Sequence, residues 1–433
     1  MPSSKSLLLL LTGLVLGTVF GLAVANRFGT ESEPDVARYR EVRDYARRAF
    51  VREVSDEQML DSALHGLADG LDDYSEYFDL AESEALQRET SGRYFGLGIV
   101  LSRNYEEGRI LFPLSGGPAA EAGVRVGDRI VRIAQKDFAQ VDHAEFRKFV
   151  SGDEVHDVEL VLVGLDGSER TLVVRTAEVV EPTVKHERIV DDARHIGYLA
   201  VTSFSHETPS EFRAAIDRLK SDGMRALVVD LRENPGGVLV SAVAMARLFV
   251  DEGLIVSTEG RGEPVRYEAE SGTATCAGFP LAVLVDEGTA SASEVFVAAV
   301  QEHRAAVIVG SPTFGKGMVQ TLHRFGDPGP VMKVSTSYYY TPTHTNLEHS
   351  ADPTKLRGIQ PDLHVPISKE ERSALRVKLA AVSPSREYRA AIAAWERELG
   401  KFVVEPIPID AQMRAAFDLF AGKRPGPERR NVP

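Results

Sequence analysis

Ser291 and Lys316 lie 25 residues apart, in the short small-residue segments GTASASEV and TFGKG. A serine at the start of a helix carries its hydroxyl at the positive end of the helix dipole, where the next backbone N–H can stabilise an oxyanion. A serine becomes a nucleophile only beside a base, and a desolvated, neutral lysine is such a base. The two residues could therefore form a nucleophile and its base. The alternatives are that Ser291 only caps a helix and that Lys316 is an ordinary solvated lysine.

The chain offers few other groups for catalysis or for metal binding. His303 lies at the far end of the helix that Ser291 would start, and His323 lies beyond the lysine segment. The eleven histidines show no metal-binding spacing, and the single cysteine, Cys276, excludes an intrachain disulfide and a cysteine-rich metal site. We therefore predict no metal and no cofactor. The net charge of −14 also argues against nucleic acid as a partner.

A glycine pair could supply hydrogen-bond donors for an oxyanion. The segment DLRENPGG, residues 230–237, follows an apolar run that predicts a buried strand and precedes a predicted helix. Backbone N–H groups exposed at such a turn suit a developing negative charge. The alternative is a tight turn that needs glycine only for its positive φ.

These segments lie among elements that predict a layered α/β core. From Ile196 onwards, apolar runs such as ALVVDL, PLAVLVD and AAVIVG alternate with helical patterns. This alternation is typical of a buried sheet covered by helices. One of the helices is predicted to start with Thr208 as its N-cap and Glu211 as a capping-box acid, and to end at Gly223.

A β-rich module precedes the core. Residues 92–176 contain short alternating strands separated by Gly and Asp-Gly turns. In YFGLGIVL, two glycines flank a leucine, which lets backbone N–H groups converge on an anion; the alternative is a bulged strand. About twenty residues later, the segment SGGPAAEAGVRVGDRIVRI contains a predicted short helix, residues 118–123, and a Gly-Asp turn at 127–128.

The N-terminal segment is apolar enough to enter a membrane. Residues 7–25 carry no charge and as a helix would span ~28 Å, close to the thickness of a bilayer core. The segment is either an uncleaved anchor, favoured by its length and by small residues at every fourth position, or a signal cleaved after AVA at 23–25. Both place the rest of the chain outside the cytoplasm.

A helical arm follows this segment. Ser55 and Gln58 form a predicted capping box, and the helical pattern continues to about Leu80. The arm is too small to have a core of its own. We therefore expect it to dock on a neighbouring domain or on a second copy of the chain.

The motifs together resemble two known families. The GLG loop, with the Pro-Ala-Ala helix and the Gly-Asp turn, resembles a PDZ domain, which binds the C-terminus of a partner chain as an added strand. SASE, TFGKG followed by Gln320, DLRENPGG, and GIQPD at 358–362 occur in the order and spacing of the carboxy-terminal-processing (tail-specific) serine proteases. This second resemblance runs from about Asp61 to Val365.

The resemblance implies a Ser–Lys endopeptidase with a crotonase-like α/β core. Ser291 would be the nucleophile, Lys316 the general base, and Gln320 the residue that orients the lysine. We expect the backbone N–H groups of Gly237 and Ala292 to form the oxyanion hole. A substrate C-terminus with a free carboxylate on an apolar residue would bind the loop formed by Phe95, Gly96, Leu97, Gly98 and Ile99.

The predicted organisation is multidomain α+β. The predicted parts are a signal or anchor helix (1–29), a helical arm (30–84), a PDZ domain (85–176), a protease core (177–370), and a helical region with a basic tail (371–433). Expected partners are protein or peptide substrates, a second copy in a homodimer or higher oligomer, and an adaptor protein. The expected location is the cell envelope, with the body in the periplasm and either tethered to the inner membrane or released from it.

Two other functions are compatible with parts of these motifs. A catalytically inactive PDZ scaffold is disfavoured because Ser291 and Lys316 are both present, and a crotonase-like acyl-CoA enzyme or acyl hydrolase would not use an export segment or a PDZ domain. The sequence also departs from the family in two places. The family often has Asn where Glu233 stands, and it usually continues YYYTP with a Ser-Gly turn, where this chain has THTNLEHSADPTKLRGIQPD. These departures bear on substrate preference rather than on the chemistry.

Overall fold

The computed structural model describes residues 34–102, 107–150, 155–348 and 358–422. The predicted anchor or signal helix at residues 7–25 and the end of the basic tail lie outside these ranges. Within them, no helix combines the length and the apolar character that crossing a membrane requires. The chain forms two units, Met1–Tyr77 and Phe78–Pro433.

From residue 34 onwards, the first unit contains two helices, α1 (Pro34–Ala49) and α2 (Asp56–Asp69), and strand β1 (Glu76–Phe78) spans its boundary with the second unit. The capping box is confirmed: the N–H of Gln58 donates to Ser55 Oγ at 3.1 Å, and the N–H of Ser55 donates to Gln58 Oε1 at 3.2 Å. Helix α1 has no buried residue, and α2 buries only Ala68. The two helices therefore lack a core of their own, and what they dock on stays a prediction.

The β-rich module opens the second unit. Its elements are α3 (Leu80–Ser91), β2 (Arg93–Gly96), β3 (Ile99–Leu101), β4 (Ile110–Pro113), α4 (Pro118–Glu121), β5 (Arg129–Ile133), β6 (Lys136–Asp137), α5 (His143–Val150), β7 (Asp157–Val163), β8 (Glu169–Arg175) and β9 (Ala177–Val180). All of the strand pairs here are antiparallel, in the orders β6-β5-β7-β8, β3-β4 and β2-β9. The predicted short helix near residue 118 is present as α4, whereas helix α3 crosses the predicted boundary at residue 84.

The α/β core and a C-terminal helical segment complete the unit. Their elements are β10 (Val184–Asp191), β11 (Ile196–Val201), α6 (Thr208–Ser221), β12 (Ala226–Asp230), α7 (Leu239–Ala246), β13 (Leu254–Gly260), β14 (Val265–Glu268), β15 (Leu281–Val285), α8 (Ala292–Glu302), β16 (Val307–Gly310), β17 (Met318–Arg324), β18 (Val331–Tyr340), β19 (Leu363–His364), α9 (Lys369–Ala380), α10 (Arg386–Leu399) and α11 (Ala411–Phe420).

The central sheet has the described strand order β10-β11-β12-β15-β16-β19, parallel except for β10. Side chains that alternate along β11 face opposite layers, as strand geometry requires. Leu199 and Val201 pack with helices α6 to α8, whereas Tyr198 and Ala200 pack with α9 and α11. The sheet is therefore buried on both faces, which explains why its strands read as continuous apolar runs. A second, antiparallel sheet contains the neighbours β14-β13-β18-β17.

The predicted start of α6 is wrong by one residue. Thr208 is the first helical residue rather than the N-cap, because its hydroxyl accepts the N–H of Ser205 at 2.8 Å and belongs to the preceding turn. Glu211 is not a capping-box acid either. Its carboxylate accepts the N–H groups of Thr183 and Val184, at 2.8 and 2.9 Å, at the start of β10.

Candidate active site

The three segments singled out in the sequence follow three neighbouring parallel strands. Register pairs Val229 of β12 with Val283 of β15, and Val283 with Ile308 of β16. The strands therefore end at one edge of the sheet, where ligand sites of α/β proteins form. Residues 230–237, 286–291 and 311–316 leave the sheet at that edge. The segments of Ser291 and Lys316 come together there, and the backbone N–H groups of both residues donate to the same carboxylate oxygen, Glu294 Oε2.

Ser291 occupies a strained turn between β15 and α8. Its φ of +56° and ψ of −118° are unfavourable for a residue with a side chain. Helix α8 begins at the next residue, Ala292. A serine held in this way on a strand–turn–helix corner is typical of a catalytic nucleophile.

A buried carboxylate joins the serine turn to the lysine loop. Oε2 of Glu294 accepts the backbone N–H of Ser291 at 2.8 Å and the backbone N–H of Lys316 at 2.9 Å. Oε1 accepts the N–H of Gly315 at 2.7 Å and the hydroxyl of Thr313 at 2.5 Å. Glu294 has no exposed surface, and burial is the main cause that raises the pKa of its carboxyl, against the opposing effect of these four donors.

Sequence reasoning missed Glu294. The available signal was a lone acid in the first turn of an otherwise apolar helix, ASEVFVAAVQE. An acid there is favoured by the helix dipole, and that ordinary explanation conceals its partners. Three of its four partners, Thr313, Gly315 and Lys316, lie about twenty residues further along the chain, so no local sequence pattern predicts these contacts.

The GIQPD segment supports the same loop. Ile359 donates its N–H to Thr313 Oγ1 at 2.7 Å, and Thr313 donates its N–H to the Ile359 carbonyl at 3.1 Å. Gly358 has a φ of +54°, and a Cβ there would lie 2.4 Å from the Thr313 carbonyl oxygen. Only glycine fits so close to the loop, which accounts for the first residue of the motif.

The glycine turn packs directly against the serine turn. A Cβ on Gly236 would lie 2.9 Å from Ser291 Cβ, and one on Gly237 would lie 2.1 Å from the Phe204 carbonyl oxygen. Their φ values of +103° and +137° also demand glycine. In the described part of the chain, the N–H groups of Gly237 and Ala292 donate to no protein acceptor. Both are therefore available to a bound oxygen, although the glycines are also needed for the turn itself.

Asp286 connects the two turns at their base. Its Oδ1 accepts the N–H groups of Glu233 and Gly288, both at 2.9 Å, whereas its buried Oδ2 has no hydrogen-bond partner in the described residues. Burial raises the pKa of Asp286 from its ordinary value of 3.8 to about 6. Glu233 has a φ of +57°, a conformation that suits Gly or Asn better than Glu. No group of three or more potential metal-ligating side chains occurs in the ranges that the structure describes.

Gln320 lies on β17, beyond the lysine loop. Its amide Nε2 donates to the Met318 carbonyl at 3.1 Å and approaches Ser335 Oγ at 3.4 Å. The strand register shifts between Val319 and Gln320. The predicted role of Gln320 in orienting Lys316 stays a prediction.

The loop predicted to bind C-termini lies between β2 and β3. Phe95 and Gly96 end β2, Ile99 starts β3, and Gly98 between them has a φ of +68°. The carbonyls of Leu97 and Gly98 accept N–H groups of the same module, but their own N–H groups donate to no acceptor among the described residues. In these residues β3 pairs only with β4, so its other edge is available to an added strand.

We predict that Glu294→Ala lowers the free energy of unfolding by about 3 kcal/mol or more, because each buried N–H left without an acceptor costs about 1–3 kcal/mol. The matched control is Glu302→Ala on the same helix. Glu302 accepts one exposed hydrogen bond, from the N–H of Thr343, and its loss should cost less than about 1 kcal/mol. Urea denaturation of the three proteins measures both values. Equal losses in the two variants would contradict the structural role of Glu294.

We predict that the contribution of Asp286 to the free energy of unfolding depends on pH. The carboxylate of Asp286 binds a proton more tightly in the folded protein than in the unfolded chain, so its protonation stabilises the fold. This stabilisation is lost as the pH rises from about 4 through 6. Asp286→Asn cannot ionise. Relative to the unmodified protein, its free energy of unfolding should therefore rise by up to about 3 kcal/mol between pH 4 and 7. Denaturation at both pH values tests this, with the exposed Asp217→Asn as control; a difference that does not change with pH would refute it.

Comparison with known proteins assigns the β-rich module and the α/β core to families. Residues 195–365 match the family model described as peptidase family S41, and residues 85–161 match the model of the PDZ domain. The Carboxy-terminal-processing protease of Bartonella bacilliformis is 32% identical over 76% of this chain and 75% of its own length. The Probable CtpA-like serine protease of Staphylococcus haemolyticus is 30% identical over 71% of this chain, which spans only 60% of that relative.

Among solved structures, the photosystem II D1 C-terminal processing protease is 28% identical, with 75% of this chain and 86% of that chain covered. Its TM-score is 0.42, so the assignment depends on the sequence comparisons. The identity and coverage of the Bartonella relative are sufficient for that assignment. The chain therefore belongs to peptidase family S41 and is a serine peptidase that carries a PDZ domain.

Proposed function

We propose that the protein is an endopeptidase in which Ser291 is the nucleophile and Lys316 is the general base. The observation that carries the proposal is the Glu294 carboxylate, because one of its oxygens accepts the backbone N–H groups of both residues. No histidine is needed in this scheme. The strained φ of Ser291 and the unused N–H groups of Gly237 and Ala292 give further support.

In this proposal the serine and the lysine cleave the peptide bond in two steps. The neutral amine of Lys316 takes the hydroxyl proton as Ser291 Oγ attacks the substrate carbonyl carbon. The carbonyl oxygen becomes an oxyanion, to which the N–H groups of Gly237 and Ala292 donate. The lysine ammonium then returns the proton to the leaving amine, and water hydrolyses the acyl-enzyme by the same route. Gln320 would orient the lysine amine.

The PDZ domain would select the substrate by its C-terminus. The N–H groups of Leu97 and Gly98 supply donors for a terminal carboxylate, and the open edge of β3 can accept the preceding residues as a strand. Phe95 and Ile99 supply apolar surface near this loop, so an apolar last residue is preferred. The name of the Bartonella relative supports processing of C-terminal tails as the reaction.

The proposal extends to location and assembly. The uncharged residues 7–25 support an envelope location, with the peptidase in the periplasm and exported proteins as its substrates. The coreless arm of α1 and α2 supports docking on a second copy of the chain. An adaptor protein would be a further partner.

We predict that Ser291→Ala and Lys316→Ala each abolish cleavage of an unfolded protein, because each removes one part of a catalytic unit. Gln320→Ala should be milder, since it only positions the amine. Activity of the unmodified protein should rise with pH, because only the uncharged amine accepts a proton. The exposed Lys369→Ala is the control for loss of a lysine. Near-normal cleavage by a folded Lys316→Ala variant would exclude the Ser–Lys pair.

We predict that amidation of a tail peptide weakens its binding about ten- to a hundredfold, because a charge-assisted hydrogen bond contributes about 1.5–3 kcal/mol. Gly98→Glu should have a similar effect by placing a carboxylate in the loop. Gly167→Glu is its matched control, since Gly167 has a comparable φ of +79° in the same module and open space around it. Equal affinity for acid and amide peptides would rule out recognition of the C-terminus.

A further inference from the structure

A buried arginine connects the glycine turn to the C-terminal helical segment, residues 369–422. The Arg232 side chain has no exposed surface and forms a bidentate pair with Asp230, at 2.9 and 2.6 Å. Its Nη1 donates to Asp410 Oδ2 at 2.6 Å and to Gln412 Oε1 at 2.8 Å. The last two residues lie just before and within α11, about 180 positions further along the chain.

The guanidinium depends on these distant partners. A buried charge is tolerated only when it is paired and its donors are satisfied. Asp230 occupies Nε and Nη2, so the acceptors for Nη1 come from Asp410 and Gln412. Gln412 is itself fixed, since it is fully buried and its Nε2 donates to the Val365 carbonyl at 2.7 Å.

The same turn carries the groups proposed to bind the oxyanion. Two residues after Arg232, the Asn234 carbonyl accepts the N–H of Ala290 at 3.0 Å and the Ser293 hydroxyl at 3.1 Å. Gly236 follows, so close to Ser291 that a Cβ on it would lie 2.9 Å from Ser291 Cβ. A shift of the turn would therefore move the N–H of Gly237 relative to the nucleophile.

A second ion-pair contact also connects the C-terminal helical segment to the active-site turns. Arg372 of α9 pairs with Glu233 at 3.2 Å and with Glu287 at 2.5 Å, one residue from each of the two turns. Arg372 is partly exposed, so this pair is weaker than the buried one. The matched peptidase model ends at residue 365, so all of these partners lie beyond the part of the chain that it describes.

We propose that Asp410 and Gln412 are positioning residues of the peptidase: they hold Arg232 and thereby set the distance between the Gly237 N–H and Ser291. The proposal rests on the function proposed above. It makes the C-terminal helical segment part of the catalytic unit rather than only a cover for the sheet.

The test uses Asp410→Asn in the full chain. Asp410 also caps α11 through Oδ1, which accepts the N–H of Met413 at 2.9 Å, and Asn caps a helix as well as Asp does. The substitution thus keeps the cap and removes one of the two anionic partners of Arg232, leaving the pair with Asp230. We expect kcat for a short peptide to fall about tenfold with KM unchanged, because the oxyanion forms only after binding. Affinity for a peptide boronate, which forms a tetrahedral adduct on serine, should fall by the same factor.

The control is Asp79→Ala, which removes the side-chain cap of α3 in the β-rich module, where Asp79 Oδ1 accepts the N–H of Glu82 at 2.9 Å. If Asp410→Asn only destabilised a helix, it would lower Tm as the control variant does. It would then leave kcat, measured well below Tm, unchanged. Gln412→Leu, which removes the other acceptor, should repeat the result for Asp410→Asn. Unchanged kcat and boronate affinity in the folded Asp410→Asn and Gln412→Leu variants, or an equal fall in Asp79→Ala, would overturn the inference. Cleavage by Ser291→Ala, measured in parallel, would instead overturn the proposed function and this inference with it.

Discussion

The active-site edge of this protein depends on one buried carboxylate. Glu294 accepts four donors, and two of them are the backbone N–H groups of Ser291 and Lys316. A charge without exposed surface is stable only when it is fully hydrogen-bonded, so the carboxylate and the two segments require one another. Helix α8 and strand β16 carry the chain from the serine to the lysine, and the carboxylate closes that path. The motifs SASE, TFGKG and GIQPD thus share one structural role, which is to hold the serine and lysine segments together around Glu294.

The layers around the sheet hold this arrangement from both sides. Helices α6 to α8 pack on one face of the sheet, and α9 and α11 pack on the other. Each layer also supplies polar contacts to the edge: α8 contributes Glu294, and the C-terminal segment contributes the partners of Arg232. Packing and catalytic geometry are therefore set by the same elements.

Local signals in the sequence were sufficient for most of the fold. The apolar runs predicted β12, β15 and β16, the Ser55–Gln58 capping box predicted the start of α2, and the small-residue segment predicted Ser291 at the start of a helix. The start of α6 was wrong because the Thr208 hydroxyl bonds within the preceding turn, an outcome that propensity alone does not separate from capping. The contacts of Glu294 and of Arg232 could not be predicted, because their partners are distant in sequence and leave no periodic pattern. The role of Gln320 came from family resemblance, which also favoured a base over a solvated lysine at Lys316.

The rate at which a fluorophosphonate labels Ser291, mapped by mass spectrometry, tests the central claim most directly. It should be compared in the unmodified protein, in Glu294→Gln and in Glu302→Gln. Gln cannot satisfy all of the donors around Glu294, and a small misplacement of reacting groups can cost on the order of a hundredfold in rate. The account predicts labelling of Ser291 that is at least about tenfold slower in Glu294→Gln and unchanged in Glu302→Gln. Equal rates in the two variants, or labelling of another serine, would contradict it.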